Sequence, residues 1–348
     1  MSHAAVIPSA ARDPKVSPFE ILRGIGFEIP QSLRTFGMTR WGRLLISFVV
    51  VGLGFLLFPA AAHAWTPGTH IFLGQSILEA AGSLPGGIGD LIRAFPFDFL
   101  YGNIAADTSF AKKYAPVNRH SHAWHVGQEV HDLAKSDALR AFGLGYLAHL
   151  AADTVAHNFF VPRQLVLTSS TKSLGHSYWE SRAETHLDRD YAHEARDIIL
   201  MDHTRADEHL DLIISPTIFS VKTNRRIFRG MVHLTRSRAW QTGMRAARDV
   251  SRWDLSDDVV ERHLGLAYEY IMQMLMNGSG PARELDPNGA APLRRAKAMR
   301  RSALLDGGWK DAERMNEAAE KHFGLPTFTP VYWPAVAMKL LRKNKQAS

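Results

Sequence analysis

Two segments of the chain carry histidines and carboxylates at the spacing of metal ligands. The first contains His149, Asp153 and His157, and the second contains His176 and Glu180. An α-helix has about 3.6 residues per turn, so side chains four positions apart share a face, and each set is expected to point one way. Imidazole nitrogen combined with carboxylate oxygen suits zinc or another borderline divalent cation. Because the chain has no cysteine, a site of histidines and acids is the only strong zinc site it can form.

A metal site must be weighed against ordinary explanations of the same residues. A histidine on an apolar helix is usually a core residue, and a histidine four positions from an acid can be a surface ion pair. Leu147, Leu150 and Phe159 leave the helix of His149 with little polar surface, however. His149 and Asp153 are therefore expected to face inward, and since a buried charge needs a partner, we prefer the metal site.

Other residues could extend or support this site. The further candidate ligands are Trp65, His70, Asp107 and one of His120, His122 and His125, with His122 preferred. His131, His186 and Asp190 are interpreted as solvated positions or as hydrogen-bond partners of ligands. Tyr178 and Trp179, between His176 and Glu180, are expected in the core.

The elements that must position these residues are predicted to be helices. Apolar residues recur at helical spacing over 71–81, 138–160, 176–195, 226–251 and 257–276, and the second of these helices is expected to break just before Pro162. Strand patterns of useful length and internal repeats are missing from the sequence. We therefore predict an all-α fold, a multi-helix bundle around a buried multi-zinc site, with one domain over residues 65–275. Residues 276–348 are predicted to form a helical, basic C-terminal extension, with loops at 278–281 and 286–289.

The N-terminal 64 residues are predicted to lie outside that domain. Arg40 and Arg43 precede an apolar run over 44–58, and Ala62-His63-Ala64 has the small-x-small pattern of a cleavage site. A membrane-spanning helix needs about 20 apolar residues, so we expect cleavage after Ala64 and a periplasmic or secreted protein. The alternative is a membrane anchor through residues 44–62. Residues 1–37 are unusually long for such a signal, and a start at Met38 would give one of ordinary length.

Composition narrows the classes of function. A hydrophobic content of 46% and a charged content of 22% are typical of a globular protein. Residues 1–64 contain six Lys or Arg and three Asp or Glu, so their removal changes the formal charge from +7 to +4. That charge is too small to indicate nucleic-acid binding by itself. The segment 330–343 combines aromatic and basic residues, and docking on the protein is preferred there over contact with an anionic membrane.

The order and spacing of the candidate ligands resemble those of the zinc-dependent phospholipases C and the related single-strand-specific nucleases. These are all-α enzymes with three zincs and an N-terminal tryptophan ligand, and the resemblance covers about Trp65 to Glu180. It implies three sets of zinc ligands: Trp65, His70 and Asp153; Asp107, His122, His149 and Asp153; and His157, His176 and Glu180. Trp65 would bind through its free amino group. In many members the histidine after the aspartate is six residues away, whereas here it is four.

The resemblance also implies an activity, the hydrolysis of a phosphodiester by zinc-activated water. Asp107, rather than Glu180, is favoured as the residue that orients or deprotonates the water. The motifs look more similar to the phospholipase branch, so a phospholipid or membrane surface is the expected partner and nucleic acid is less favoured. The alternatives are a single-strand-specific zinc nuclease and a non-catalytic periplasmic protein with structural zinc. The sequence contains no Gly-rich phosphate loop.

Overall fold

The structure is a computed structural model that describes residues 65–109, 119–168, 173–187, 191–249, 251 and 253–333. The predicted signal segment and the end of the C-terminal tail lie outside these residues. The described residues form helices joined by turns and contain no β-strand, which confirms the predicted all-α class. None of the described helices is long and apolar enough to cross a membrane.

The described residues form fourteen α-helices. The first seven are α1 Pro67–Glu79, α2 Gly86–Ala94, α3 Pro96–Ala105, α4 Trp124–Asp132, α5 Asp137–Val155, α6 Val161–Leu167 and α7 Ser173–Glu184. The next seven are α8 Tyr191–Ile199, α9 Thr204–Ile213, α10 Val221–Arg236, α11 Arg238–Asp249, α12 Asp257–Asn277, α13 Ala290–Leu305 and α14 Ala312–Phe323. A 3₁₀ turn, Ala106–Thr108, extends α3.

Helix α5 is the centre of the bundle. It packs against α3, α4 and α12, and every residue from Ala141 to Val155 is buried. Such a helix has no solvated face, so its polar side chains must find partners inside the protein. Ser136 begins the helix as its N-cap, and its hydroxyl accepts a hydrogen bond from the Leu139 N–H.

Two glycines let α3 and α5 approach very closely. A Cβ on Gly145 would lie 2.0 Å from the Phe99 carbonyl oxygen, and one on Gly102 would lie 2.2 Å from the Phe142 carbonyl oxygen. Both distances are far below van der Waals contact, so only glycine fits at either position. The close approach brings the end of α3, with Asp107 just after it, to the polar residues of α5.

The break predicted before Pro162 is wrong. The chain stays helical from α5 through a π-helical turn, Ala156–Phe160, into α6. The Val161 N–H bonds to the Ala156 carbonyl five residues back, and Pro162 lies in the first turn of α6. An inserted π turn absorbs the backbone disturbance that a proline causes, and such turns are frequent at functional sites.

Two other predicted helices are each divided in two. The helix predicted over 176–195 ends at Glu184, where hydrogen bonds to carbonyls three residues back tighten the chain. The helix predicted over 226–251 is interrupted at Ser237, whose hydroxyl accepts a bond from the Trp240 N–H and so caps α11. The predicted helix over 257–276 is confirmed as α12, and Gly278 ends it in the left-handed conformation.

The C-terminal helices share the core of the preceding ones. Helices α13 and α14 pack against α6, and Ala296, Met315 and Phe323 are buried in the same apolar cluster as α5. The proposed domain boundary near residue 275 stays a prediction, but residues on both sides of it contribute to one core.

Candidate metal centre

Four of the predicted ligands converge beside α5. The structure brings together Asp107 from the 3₁₀ turn, His122 from the loop before α4, and His149 and Asp153 from α5, with ligand atoms all within 4.8 Å of one another. His122 Nε2 lies 3.0 Å from Asp153 Oδ2 and 3.2 Å from Asp107 Oδ1. His149 Nε2 lies 3.3 Å from the same oxygen of Asp153. All four side chains are fully buried.

His70 joins this group from α1. Its Nε2 lies 3.1 Å from Asp153 Oδ1, while the two imidazoles of the first group face Oδ2. Asp153 therefore presents one carboxylate oxygen to His70 and the other to His122 and His149. A carboxylate shared in this way is suited to bridging two metal ions.

The donor atoms are arranged in a way that suits metal coordination better than hydrogen bonding to one another. Nε2 of His149 and Nε2 of His122 face each other at 3.1 Å, and a hydrogen bond there would use the Nε2 of both rings. Both ring nitrogens of His70 and both carboxylate oxygens of Asp153 are buried without a hydrogen-bond partner among the described residues. Buried polar atoms normally have such a partner, and convergent imidazole nitrogens and carboxylate oxygens are the donor set that zinc binds.

A second group forms at the π turn. His157 from that turn and His176 and Glu180 from α7 have ligand atoms within 4.8 Å of one another. His176 Nε2 lies 2.7 Å from Glu180 Oε1, and the rings of His157 and His176 meet edge to face at 5.3 Å. All three residues are buried. His157 is grouped with His176 and Glu180, the partners that the family resemblance implies, while Asp153 remains among the charges that act on it.

Backbone carbonyls hold two of the histidines. His149 Nδ1 lies 2.7 Å from the Asn103 carbonyl oxygen, and His157 Nδ1 lies 2.6 Å from the Pro287 carbonyl oxygen. A carbonyl only accepts, so each Nδ1 carries the proton and donates it, which leaves the Nε2 lone pair of the neutral ring free for a metal. Sequence reasoning missed Asn103 and Pro287, since their side chains take no part in these bonds.

Burial and neighbouring charges set the protonation of the group. Burial, with the neighbouring His149, lowers the pKa of His70 to about 4, and burial lowers the pKa of His157 to about 3. For Asp153, burial acts in the opposite direction, but the surrounding histidines, His149 foremost, hold its pKa well below the usual range. Burial by itself would lower the pKa of His149, but the carboxylates of Asp153 and Asp107 outweigh burial, and the pKa is raised. An ionised Asp153 beside the neutral imidazole of His70 is a form that binds a cation.

Trp65 lies against the same part of α5. It is completely buried, its ring stacks on Phe160 at 5.0 Å between centroids, and its indole N–H donates to the Ala152 carbonyl. Thr66 caps α1 and accepts a hydrogen bond from the His70 N–H through its carbonyl. The predicted tryptophan ligand is thus placed beside the helix that carries Asp153, and its role as a ligand stays a prediction.

The competing histidines lie elsewhere. His120 Nδ1 accepts a hydrogen bond from the His122 N–H, and His125 is exposed at the start of α4. Of the three, His122 is the one grouped with the carboxylates. As expected, Trp179 is buried in the core, while Tyr178 is partly buried against Trp240 and Met244.

The segment that carries these carboxylates and histidines is similar to one known protein family. Residues 69–222 match the family model of zinc dependent phospholipase C. The predicted resemblance to the zinc dependent phospholipases C is confirmed over that segment, which includes all the candidate ligands except Trp65. No curated protein and no solved structure matches the chain. The match and the two buried groups together support zinc as the metal of this centre.

Proposed function

We propose that this protein is a phospholipase C that hydrolyses the phosphodiester bond of a phospholipid at a centre of about three zinc ions. The single observation that carries the proposal is the pair of buried groups inside the segment matched by the zinc dependent phospholipase C family. Zinc, when bound, activates water as a nucleophile and acts as a Lewis acid toward the phosphate.

The proposal assigns the ligands to three sets, as the family resemblance implies. His70 and Asp153, with the amino group and carbonyl of Trp65 as the mature N-terminus, would hold one zinc. Asp107, His122, His149 and Asp153 would hold the second, and His157, His176 and Glu180 would hold the third. The shared Asp153 keeps the first two sets next to each other, since its two oxygens face different histidines at 3.0 to 3.3 Å.

Asp107 would accept a proton from the attacking water. It lies in the 3₁₀ turn after α3, with Oδ1 3.2 Å from His122 Nε2 and 3.9 Å from His149 Nε2, and it is completely buried. Water adds to phosphorus, the bond between phosphorus and the glycerol oxygen breaks, and that oxygen takes a proton. The products are diacylglycerol and a water-soluble phosphorylated headgroup.

A substrate test separates this proposal from its alternatives. The chain from Trp65 onward, loaded with zinc, is offered a phosphatidylcholine dispersion and single-stranded RNA, each with and without a chelator. Chelator-sensitive release of phosphorylated headgroup supports the phospholipase. Release of nucleotides instead would replace it with a nuclease. Stoichiometric zinc with turnover of neither substrate would indicate a structural metal site.

Two aspartate-to-asparagine variants test the role of Asp107 in the same assay. Asp107→Asn should lower kcat by roughly 10²- to 10⁴-fold, the usual contribution of a general base. Asp132→Asn is the matched control, because Asp132 lies exposed at the end of α4. Zinc content is measured for both variants, so that loss of metal is separated from loss of proton transfer. An Asp107→Asn enzyme with full zinc and full activity would remove Asp107 from the catalytic role.

We also propose that the protein is exported and cleaved after Ala64, to act in the periplasm or outside the cell. The burial of Trp65 beside α5 supports this, because it puts the first residue of the proposed mature chain next to the helix that carries Asp153.

A further inference from the structure

We propose that the loop Asp286–Gly289, outside the segment matched by the phospholipase family, is a positioning element of the second metal group. It orients His157 and fixes which of its nitrogens is available to a metal. The inference rests on the proposed metal-binding function of that group, but not on the identity of the substrate. Residues far along the chain would then complete a site whose ligands lie between residues 157 and 180.

The first contact is the hydrogen bond from His157 Nδ1 to the Pro287 carbonyl oxygen, at 2.6 Å between buried atoms. Because the carbonyl can only accept, the proton of the neutral imidazole is held on Nδ1. Nε2 is then the nitrogen with a lone pair, on the far side of the ring from Pro287. Loss of this bond would let the ring rotate and exchange tautomers, which weakens a metal ligand.

The second contact fastens the loop to the π turn. The side-chain amide of Asn158 donates to the Asp286 carbonyl at 2.9 Å and to the Thr154 carbonyl at 2.8 Å. In a regular α-helix the Thr154 carbonyl would receive the N–H of Asn158, and a π turn changes that pairing. The Asn158 side chain therefore bonds to a carbonyl at the π turn and ties the loop to the residue next to His157.

The loop is itself braced at both ends. The Asp286 carboxylate accepts the Asn288 N–H at 2.9 Å and the Ala290 N–H at 3.1 Å, which ties the loop to the first residue of α13. Just before the loop, the Leu285 carbonyl accepts the indole N–H of Trp124 at 2.9 Å. Helix α13 packs on α6 and on the π turn, so the loop is attached to a rigid element.

Gly289 makes the close contact possible. Its φ is +56°, and a Cβ built there would lie 2.5 Å from His157 Cβ and 2.5 Å from the His157 carbonyl oxygen. Any other residue would have to push the loop or the π turn away. Gly278 is a natural comparison, because its φ is +66° but a Cβ there meets nothing within 4 Å. The two glycines share the backbone requirement, and only Gly289 touches His157.

The test compares Gly289→Ala with the matched control Gly278→Ala in the full mature chain. Both substitutions place alanine in the left-handed region, so the difference between them reports the contact with His157. We expect Gly289→Ala to bind one zinc about 10- to 100-fold more weakly than Gly278→Ala, the usual effect of disturbing a ligand's hydrogen-bond partner. Zinc content and competition with a chelator measure this without any substrate. Equal zinc affinities in the two variants would overturn the proposal.

A second pair of variants tests the same proposal if Gly289→Ala does not fold. Asn158→Ala removes the bridge to Asp286 without a steric clash, and Asn224→Ala is its control, a buried asparagine whose amide bonds to Thr217. Asn158→Ala should weaken the same zinc, and nitrogen NMR of the imidazoles should show His157 losing its fixed Nδ1–H form. A fixed tautomer with unchanged zinc affinity would contradict the positioning role.

The outcomes distinguish this inference from the proposed function. A wild-type protein that binds zinc but hydrolyses neither lipid nor RNA, with weakened zinc in Gly289→Ala, would keep the loop's role and reject the phospholipase. An active phospholipase whose Gly289→Ala and Gly278→Ala variants bind zinc equally would keep the enzyme and reject the loop's role.

Discussion

The indole nitrogen of Trp65 lies 3.2 Å from the carbonyl oxygen of Ala152, the residue immediately before Asp153. This bond joins the start of the described chain to the middle of α5, across 87 positions of sequence. It holds the indole of Trp65 beside the helix whose carboxylate faces His70 and His122. The Trp65 side chain is therefore fixed against α5.

The mature protein is expected to begin at Trp65. Cleavage there would leave the amino group beside the Asp153 helix, where nitrogen and carbonyl oxygen of one residue can chelate a metal. Mass spectrometry of the exported protein determines the terminus directly. As a control, a chain that keeps one extra residue before Trp65 should bind one zinc fewer than the chain that starts there. An exported protein with a different terminus, or equal zinc in both chains, contradicts the ligand role of Trp65.

Asp153→Asn should lose more zinc than Glu180→Gln. The Asp153 carboxylate contacts three histidines through two oxygens, whereas Glu180 contacts His176 through one. Both changes are nearly isosteric, so each removes charge with little change in volume. Emission analysis of the two purified variants gives the metal content, and thermal unfolding shows whether each is folded. Equal zinc losses would contradict a bridging position for Asp153.

Gly145→Ala should destabilise the fold strongly, because its Cβ would overlap the Phe99 carbonyl oxygen. Forcing extra volume into a packed contact costs about 1–3 kcal/mol, and more where backbone must move. Gly230→Ala is the control, since Gly230 lies in α10 and a Cβ there meets nothing within 4 Å. The control should be neutral or stabilising by up to about 1 kcal/mol. Chemical unfolding of both variants measures the difference, and similar stabilities would show that α3 and α5 can separate freely.

His263→Phe should reduce the loss of stability in acid. Burial, with Arg163 and Arg262 nearby, lowers the pKa of His263 to about 4 from its ordinary value of 6.5. In the unfolded chain, His263 binds a proton below about pH 6.5, whereas in the folded protein it binds one only below about pH 4. The neutral ring therefore makes its full contribution to stability above about pH 6.5. As the pH falls from about 6.5 to about 4, the free energy of unfolding decreases by at most about 1.4 kcal/mol per pH unit.

The measurement is the melting temperature between pH 7 and pH 4 for wild type and variant. Phenylalanine keeps an aromatic ring against Phe160, which meets His263 edge to face at 5.3 Å. Identical pH dependence in wild type and His263→Phe would show that His263 does not contribute.

Helical content and the candidate ligands could be predicted because both depend on local patterns. Spacing of apolar residues follows the helix period, and histidines and acids four positions apart must share a helix face. The helix of Asp257–Asn277 was predicted to within a residue at its end, since a serine cap and a glycine stop mark it in the sequence. The helices that were predicted as single but are divided contain no glycine stop at the point of division, and the Ser237 cap alone did not mark the division of the second one.

What the sequence by itself determined is therefore the all-α class and the metal-ligand chemistry of its histidines and carboxylates. Only the tertiary structure brought Asp107 and His122 to the pair His149 and Asp153, because these residues lie on separate segments that meet only when the helices pack. It also decided which backbone carbonyls orient His149 and His157, and that residues after 275 contribute one of them. Carbonyls are present at every residue, so no residue type marks the ones that matter, and contacts between Asn103 and His149 or Pro287 and His157 exist only once the helices have packed.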